Sequence, residues 1–141
     1  MKIKILTGLV ALGLSAGFTA QAANESMTVF HDPNCGCCVG WIEHIRDAGY
    51  EVKAIQTQHM TTVKEKLGID PRLASCHTAV IESTNQVIEG HVPAAAVAKL
   101  LANPDVRGVA VPGMPMNSPG MGPMDGNLVT VDFTGREFSR D

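Results

Sequence analysis

The chain has 141 residues, with 11 Lys and Arg against 14 Asp and Glu, and a formal charge of −3. A content of 45% hydrophobic and 18% charged residues is that of a globular protein, which excludes a disordered, collagen-like or coiled-coil chain. Nucleic acid is not an expected partner, because the chain lacks a basic balance and a cluster of Lys and Arg. Four Cys, seven Met and five His are present beside only four Phe, one Trp and one Tyr, so potential ligands of soft metals outnumber aromatic residues.

The N-terminal segment has the pattern of a secretory signal peptide. Lys2 and Lys4 precede an apolar run over residues 5–18, and Ala-Gln-Ala at positions 20–22 supplies a cleavage signal. A membrane anchor is the alternative, but a span needs roughly 20 apolar residues and no stop-transfer flank follows. Residues 1–22 are therefore predicted to be removed, leaving no membrane span. Loss of the two lysines takes the formal charge from −3 to −5, and the pattern predicts an acidic domain exported to the periplasm.

The sequence pattern of residues 27–68 predicts a strand, a helix, a second strand and a second helix. Asn34 is available as an N-cap of the first helix, in which Cys38, Ile42 and Ile45 recur at spacings of four and three, and Gly49 is placed to end it. The last of these helices begins with capping-box spacing, Thr-Val-Lys-Glu. The elements are a strand over 27–31, a helix from Cys35 to Gly49, a strand over 50–55 and a short helix over 62–68.

The next segment predicts a hairpin followed by a helix. Its elements are a strand over 78–81, a turn over 82–86, a strand over 87–92 and a helix over 94–103. The order βαβ, α, ββα has a parallel crossover first and an antiparallel hairpin later. This order predicts an α/β, thioredoxin-like domain over residues 23–105.

A C-terminal extension over residues 106–141 has a different composition. Residues 112–126 comprise four Pro, four Gly, four Met and three polar residues, so neither a helix nor a strand is expected there. A final strand is predicted over residues 128–133. The extension is expected to contribute to a metal site through its methionines.

Three of the four cysteines lie within four consecutive residues, as Cys35-Gly36-Cys37-Cys38. The export signal implies an oxidising compartment, where two structural disulfides are the usual interpretation of four cysteines. The spacing disfavours that interpretation, because these three thiols reach mostly one another. At a helix N-terminus the dipole favours the thiolate, which both attacks disulfides and binds metal. The cluster therefore predicts a metal site or a reactive dithiol.

Cys76 is the second element of the candidate site. It precedes the strand over 78–81, and in a thioredoxin-like fold the loop entering that strand lies against the N-terminus of the first helix. Thioredoxins usually carry a cis-proline there, whereas this chain reads Ser75-Cys76-His77-Thr78. The change removes a substrate-docking feature of a dithiol enzyme and adds a fourth sulfur, with His77 beside it, to a metal site.

Thioethers and imidazoles supply further candidate ligands. Methionine sulfur prefers Cu(I) over hard ions and needs no deprotonation, although a core or sticky-surface role is the alternative. Each histidine is individually a weak signal, since a solvated surface position is as common. The candidates in the extension are Met114, Met116, Met121 and Met124, and those among the histidines are His77 and His91.

The motifs together resemble the periplasmic copper-resistance CopG family, a thioredoxin-like group distinct from the plasmid repressor of the same name. The matching stretches are Asn34-Cys35-Gly36-Cys37-Cys38 with Trp41, Ser75-Cys76-His77-Thr78-Ala79, Glu89-Gly90-His91-Val92-Pro93-Ala94, Val111-Pro112-Gly113-Met114-Pro115 and Ser118-Pro119-Gly120-Met121. The resemblance implies a thioredoxin fold with a metal-binding C-terminal extension and several coppers bridged by cysteine sulfur. By match of motif it implies that Cys35, Cys37, Cys38 and Cys76 are ligands.

The leading hypothesis is an exported copper-binding protein of copper resistance that binds more than one ion, and the resemblance implies a role in interconverting Cu(I) and Cu(II). Two alternatives stay open: a periplasmic thiol-disulfide oxidoreductase with Cys35 as nucleophile and Cys38 as resolving thiol, and a passive copper store or chaperone. Zinc on four thiolates would leave the methionines without a role. A copper efflux system or a periplasmic copper carrier is the expected partner.

Overall fold

The computed structural model describes residues 25–141, so the predicted signal peptide lies outside the described residues. The described chain forms one seven-stranded sheet and three α-helices. Among these residues, no helix is long and apolar enough to cross a membrane. The elements are β1 (Ser26–His31), α1 (Gly36–Asp47), β2 (Glu51–Gln56), α2 (Met60–Lys66), a 3-10 helix (Pro71–Leu73), β3 (His77–Ile81), β4 (Val87–Glu89), α3 (Ala94–Leu101), β5 (Gly108–Ala110), β6 (Val129–Asp132) and β7 (Glu137–Arg140).

The strands lie in the order β2-β1-β3-β4-β5-β6-β7. β1 is parallel to β2 and antiparallel to β3, and β3 and β4 form an antiparallel pair, so the predicted crossover and hairpin are both present. The predicted mixed α/β class is confirmed. The assignment of the fold to the thioredoxin-like group stays a prediction, and so does the domain boundary near residue 105.

The structure corrects several predicted elements. β4 ends at Glu89 instead of Val92, because Gly90 adopts a positive φ of 75° and turns the chain out of the sheet. β5 was not predicted, since three residues are too few to show alternation. The final strand predicted over residues 128–133 corresponds to β6, and β7, which was not predicted, follows it. α2 begins at Met60 after His59, with no side-chain cap, so the predicted capping box does not form.

The main core lies between the sheet and helices α1 and α3. The apolar stripe of α1, predicted from its spacing, is buried and includes Trp41, which is not exposed at all. A smaller cluster covers the opposite face of β4 and β5, because successive strand residues point to opposite faces. The sheet and α1 are therefore fixed relative to each other, which determines where the cysteines lie. The main core comprises chiefly Met27, Val29, Trp41, Ile42, Ile45, Ala79, Ile81, Ile88, Val97 and Leu100.

Candidate metal centre

The N-terminus of α1 carries three of the four cysteines. Cys35 is the N-cap, accepting a hydrogen bond from the backbone N–H of Cys38 at 3.3 Å, so the predicted Asn34 cap is wrong by one residue. Cys35 and Cys38 form a disulfide. The Sγ of Cys37, a free cysteine, lies 3.4 Å from the Sγ of Cys35. The first turn of α1 therefore presents a disulfide-bonded pair together with a third sulfur.

Strand pairing brings the fourth sulfur to the same place. His31 ends β1 just before α1, and its partner in the antiparallel register is His77, the first residue of β3. Because Cys76 directly precedes His77, it lies at the N-terminus of α1. The four Sγ atoms all lie within 4.8 Å of one another. Cys76 therefore lies beside the cysteines of α1, as the order of elements predicted.

Two histidines extend the cluster beyond sulfur. His91 Nε2 lies 2.9 Å from Cys76 Sγ, and the nearest His77 nitrogen, Nδ1, lies 3.4 Å from the same sulfur. The other ring nitrogen of His91, Nδ1, donates to the carbonyl oxygen of Pro119 at 2.6 Å. Because that oxygen can only accept, the neutral ring keeps its lone pair on Nε2. Cys76, His77 and His91 thus form a second group able to hold a metal.

His77 has an unpartnered nitrogen deep in the protein. The residue is fully buried, with its ring centroid 4.3 Å from that of Trp41 and 4.9 Å from that of His91. Its Nε2 atom has no hydrogen-bond partner among residues 25–141. A buried polar atom without a partner is rare and marks a site of strain, catalysis or ligand binding.

Burial shifts the ionisation of the cluster. Desolvation, and then the charge of neighbouring Cys37, raises the pKa of the Cys76 thiol to about 11. Desolvation lowers the pKa of His77 well below its ordinary value and also lowers the pKa of His91. Without metal, Cys76 is therefore a protonated thiol and both imidazoles are neutral at pH 7. A bound metal ion would deprotonate the thiol and needs neutral imidazoles.

These shifts predict an acid-labile metal-free protein. Buried histidines bind a proton more weakly in the folded state than in the unfolded state, so folding stability is full above pH 6.5 and falls as the pH drops below it. The slope can reach about 1.4 kcal/mol per pH unit for each proton. Urea unfolding of metal-free protein between pH 7.5 and 5 measures it. His91→Gln is expected to flatten the slope, whereas His59→Gln at an exposed position is not; equal slopes in all three proteins would contradict the prediction.

The backbone of the C-terminal extension packs onto this centre. Gly120 has a φ of 85°, and a Cβ added there would lie 2.6 Å from the carbonyl oxygen of Cys37 and from the backbone nitrogen of Trp41. Pro119 accepts from His91, as described, and Gly113 accepts from the Ser75 hydroxyl. The extension therefore closes over both loops that carry the cysteines.

The methionines of the extension are less enclosed than the cysteines. Met114 is 53% and Met116 68% exposed, Met124 is also exposed, and Met121 is half-buried beside Gly120. Residues 112–126 contain neither helix nor strand, as predicted. The placement of the backbone beside the sulfur cluster agrees with a ligand role, but that role stays a prediction for each methionine.

Several roles near the centre were not predicted from sequence. Trp41 Nε1 donates to the carbonyl oxygen of Val92 at 2.8 Å, and His44 Nε2 accepts from the backbone N–H of Ala94 at 3.1 Å. Both bonds fix the turn after His91 against α1. His44 thus has a backbone partner, a role that its position in the sequence did not indicate.

The donor atoms fit a soft metal. Thiolate sulfur selects Cu(I) and Zn²⁺, imidazole suits copper and zinc, and hard ions such as Mg²⁺ prefer oxygen. Four cysteine sulfurs and two imidazoles meet within one small volume. The molecule is therefore a mixed α/β protein with a cysteine-histidine centre able to hold a soft metal.

Comparison with known proteins identifies the family. Two solved structures, Form 1 and Form 2 of a protein named copper resistance protein CopG, are each 38% identical to this chain. They cover 82% and 84% of this chain and 96% and 98% of their own, with TM-scores of 0.70 and 0.72. The family model described as "Protein of unknown function, DUF411" matches residues 73–121, and no curated protein matches. The chain belongs to the copper resistance protein CopG family.

Proposed function

We propose that this protein is an exported copper-binding protein of copper resistance that interconverts Cu(I) and Cu(II). The observation that carries the proposal is the convergence of Cys35, Cys37, Cys38 and Cys76, whose sulfur atoms lie within 4.8 Å of one another. The relatives are named for copper resistance, which agrees with this chemistry. Periplasmic location rests on the signal pattern of residues 1–22.

The donor set supports binding of more than one copper ion. Once the Cys35–Cys38 disulfide is reduced, the four sulfurs form a soft group suited to Cu(I), and Cys76 with His77 and His91 forms a second group that includes nitrogen. Cys76 belongs to both groups, so its sulfur can bridge two ions. Adjacent sulfur-only and nitrogen-containing donors favour a centre that accommodates both oxidation states of copper.

The Cys35–Cys38 pair supplies the electrons for interconversion. Oxidation of the two thiols to the disulfide releases two electrons and two protons. Each Cu(II) ion takes one electron, so one dithiol reduces two Cu(II) to two Cu(I). In the opposite direction, two Cu(I) ions give one electron each to the disulfide, which takes up two protons and returns to two thiols.

The extension provides further candidate ligands and a route for exchange. Met114, Met116 and Met121 are proposed to bind Cu(I) through uncharged thioethers, which hold the ion without a proton being released. The exposure of Met114 and Met116 suits capture and release of copper at the surface. A copper efflux system or a periplasmic copper carrier is the proposed partner.

Copper and thiols measured together test the proposal. Residues 23–141 are analysed for metal as isolated, then reduced and titrated with Cu(I), with absorption spectra of the reduced and oxidised forms. Reduced protein given Cu(II) is expected to yield two Cu(I) for each disulfide formed. Absence of tight Cu(I) binding would overturn copper binding. Tight binding with no loss of thiols on addition of Cu(II) would overturn the redox role and leave a passive store.

The Cys35–Cys38 disulfide favours a second candidate function, thiol-disulfide oxidoreduction. In that function the Cys35 thiolate attacks a substrate disulfide and Cys38 resolves the mixed disulfide, so the substrate gains two thiols and the protein gains one disulfide. A reductase assay on metal-free protein separates the two functions. Turnover that is lost in Cys35→Ser and unaffected by Met114→Ala would favour this candidate over copper redox chemistry.

A further inference from the structure

A buried ion pair lies beside the metal centre and takes no part in the chemistry proposed above. The carboxylate of Glu89, at the end of β4, is completely buried, and Lys64 Nζ on α2 contacts it with a side chain that is only 13% exposed. Glu89 also accepts from Thr78 Oγ1 at 2.6 Å, and Lys64 donates to that hydroxyl at 2.9 Å. A buried charge is retained only when it is paired and hydrogen-bonded, and here it is both.

The same carboxylate holds the loop that carries Cys76. Glu89 Oε1 accepts from the backbone N–H of Ser75 at 2.6 Å. Ser75 directly precedes Cys76, and Glu89 lies two residues before His91, so this one side chain connects both partners of the 2.9 Å Cys76–His91 contact. Gly90, between Glu89 and His91, allows the close approach, because a Cβ there would lie 2.5 Å from the Ser75 Cβ.

The ion pair links helix α2 to the sheet. No residue of α2 is fully buried, although the apolar side chains of Met60 and Val63 are half-buried, so the helix has a small apolar face. Lys64 reaches from α2 to Thr78 of β3 and Glu89 of β4. A short helix with a small apolar face thus supplies the counter-charge that lets Glu89 sit under the Cys76 loop.

We propose that Lys64 and Glu89 are positioning residues that set Cys76 against His91 and the cysteines of α1. Their effect on copper rests on the proposed function, whereas their effect on the Cys76 thiol does not. A pair that only stabilised the fold would lower the unfolding free energy and leave the folded centre unchanged. A positioning pair alters the centre in protein that is still folded.

The first test measures the Cys76 thiol without metal. In oxidised Cys37→Ser protein, Cys76 is the one free thiol of the four cysteines. Lys64→Met in this background is expected to speed alkylation of Cys76 by at least about tenfold, because the loosened loop exposes a thiol that is half-buried. Lys66→Met, which removes the same charge from an exposed position of α2, is the matched control. Equal alkylation rates in the two variants would overturn the proposal.

A second pair of variants separates positioning from stability. Gln86→Ala removes the buried Nε2 amide that donates to a group of backbone carbonyls, those of Leu100, Asn103 and Val106, none of which contacts Glu89 or Ser75 through a hydrogen bond. Glu89→Gln keeps an acceptor for Ser75 but loses the charge that Lys64 pairs with. We expect both to lower the urea midpoint and only Glu89→Gln to speed Cys76 alkylation. Equal acceleration in both at matched stability would show a general structural effect and overturn the proposal.

A third test measures the affinity of the variants for copper. Lys64→Met is expected to weaken Cu(I) binding by about 10–100-fold, the usual cost of losing a group that orients a metal ligand, with Lys66→Met unchanged. If the unmodified protein fails to bind Cu(I), the proposed function fails, and the alkylation rates still decide the positioning role. If copper affinity is equal in both variants while Cys76 alkylation differs, the pair positions the thiol but not the metal, and the copper part of the proposal is overturned.

Discussion

Replacing Cys76 with serine is expected to weaken Cu(I) binding by more than about 100-fold. Loss of a group that merely orients a ligand costs about 10–100-fold, and Cys76 is proposed to be a ligand itself. Its sulfur is also the atom common to the four-cysteine group and the Cys-His group, so one change disrupts both. A serine hydroxyl is harder and stays protonated, so it does not replace the thiolate. Competition with a chromogenic Cu(I) chelator measures the affinity and the number of ions bound.

A matched histidine pair controls for general effects of substitution at this centre. His91→Gln removes the imidazole that faces Cys76 at 2.9 Å, whereas His59→Gln removes an exposed imidazole just before α2. We expect reduced copper stoichiometry in the first and no change in the second. Native affinity and stoichiometry in Cys76→Ser would show that the cluster at α1 binds copper alone. That result would contradict the bridging role given to Cys76.

The gathering of the cysteines was predictable because it depends on strong local signals. The spacing of Cys38, Ile42 and Ile45 predicts the buried face of α1, and the short β-prone run at residues 78–81 predicts β3. Once β1 and β3 pair, Cys76 has to arrive at the N-terminus of α1, whatever the details of the loops. The N-cap was predicted one residue too early, because Asn is a preferred N-cap residue and Cys is not, yet the Cys35 sulfur accepts from the backbone N–H of Cys38.

The supporting contacts were not predictable, because each joins residues far apart in the chain through geometry that has no sequence period. Glu89 and Lys64 are 25 residues apart, and neither the strand pattern nor the helix pattern marks a charged residue as paired. The bond from His91 to Pro119 crosses 28 residues and uses a backbone carbonyl, which any residue carries. Such contacts are fixed by packing, so only the structure reveals them.

Gly120→Ala is expected to release the C-terminal extension from the metal centre. A methyl group there would meet backbone atoms of Cys37 and Trp41 at 2.6 Å, and backbone in a packed helix cannot yield as a side chain end does. The added cost of a left-handed conformation is about 1–2 kcal/mol, and overpacking adds about 1–3 kcal/mol. We expect the free energy of unfolding to fall by about 3 kcal/mol, measured by urea denaturation of the metal-free protein.

The same substitution is also expected to disturb His91. Pro119 precedes Gly120, so moving the backbone breaks the bond that keeps His91 Nε2 directed at Cys76, and Cu(I) affinity should fall by about 10–100-fold. Gly126→Ala is the matched control, because Gly126 also has a positive φ, of 79°, but has open space around its Cβ position. Gly126→Ala therefore incurs only the conformational cost of a positive φ, without the steric clash. Equal copper affinities in the two variants would show that the extension covers the centre without orienting its ligands.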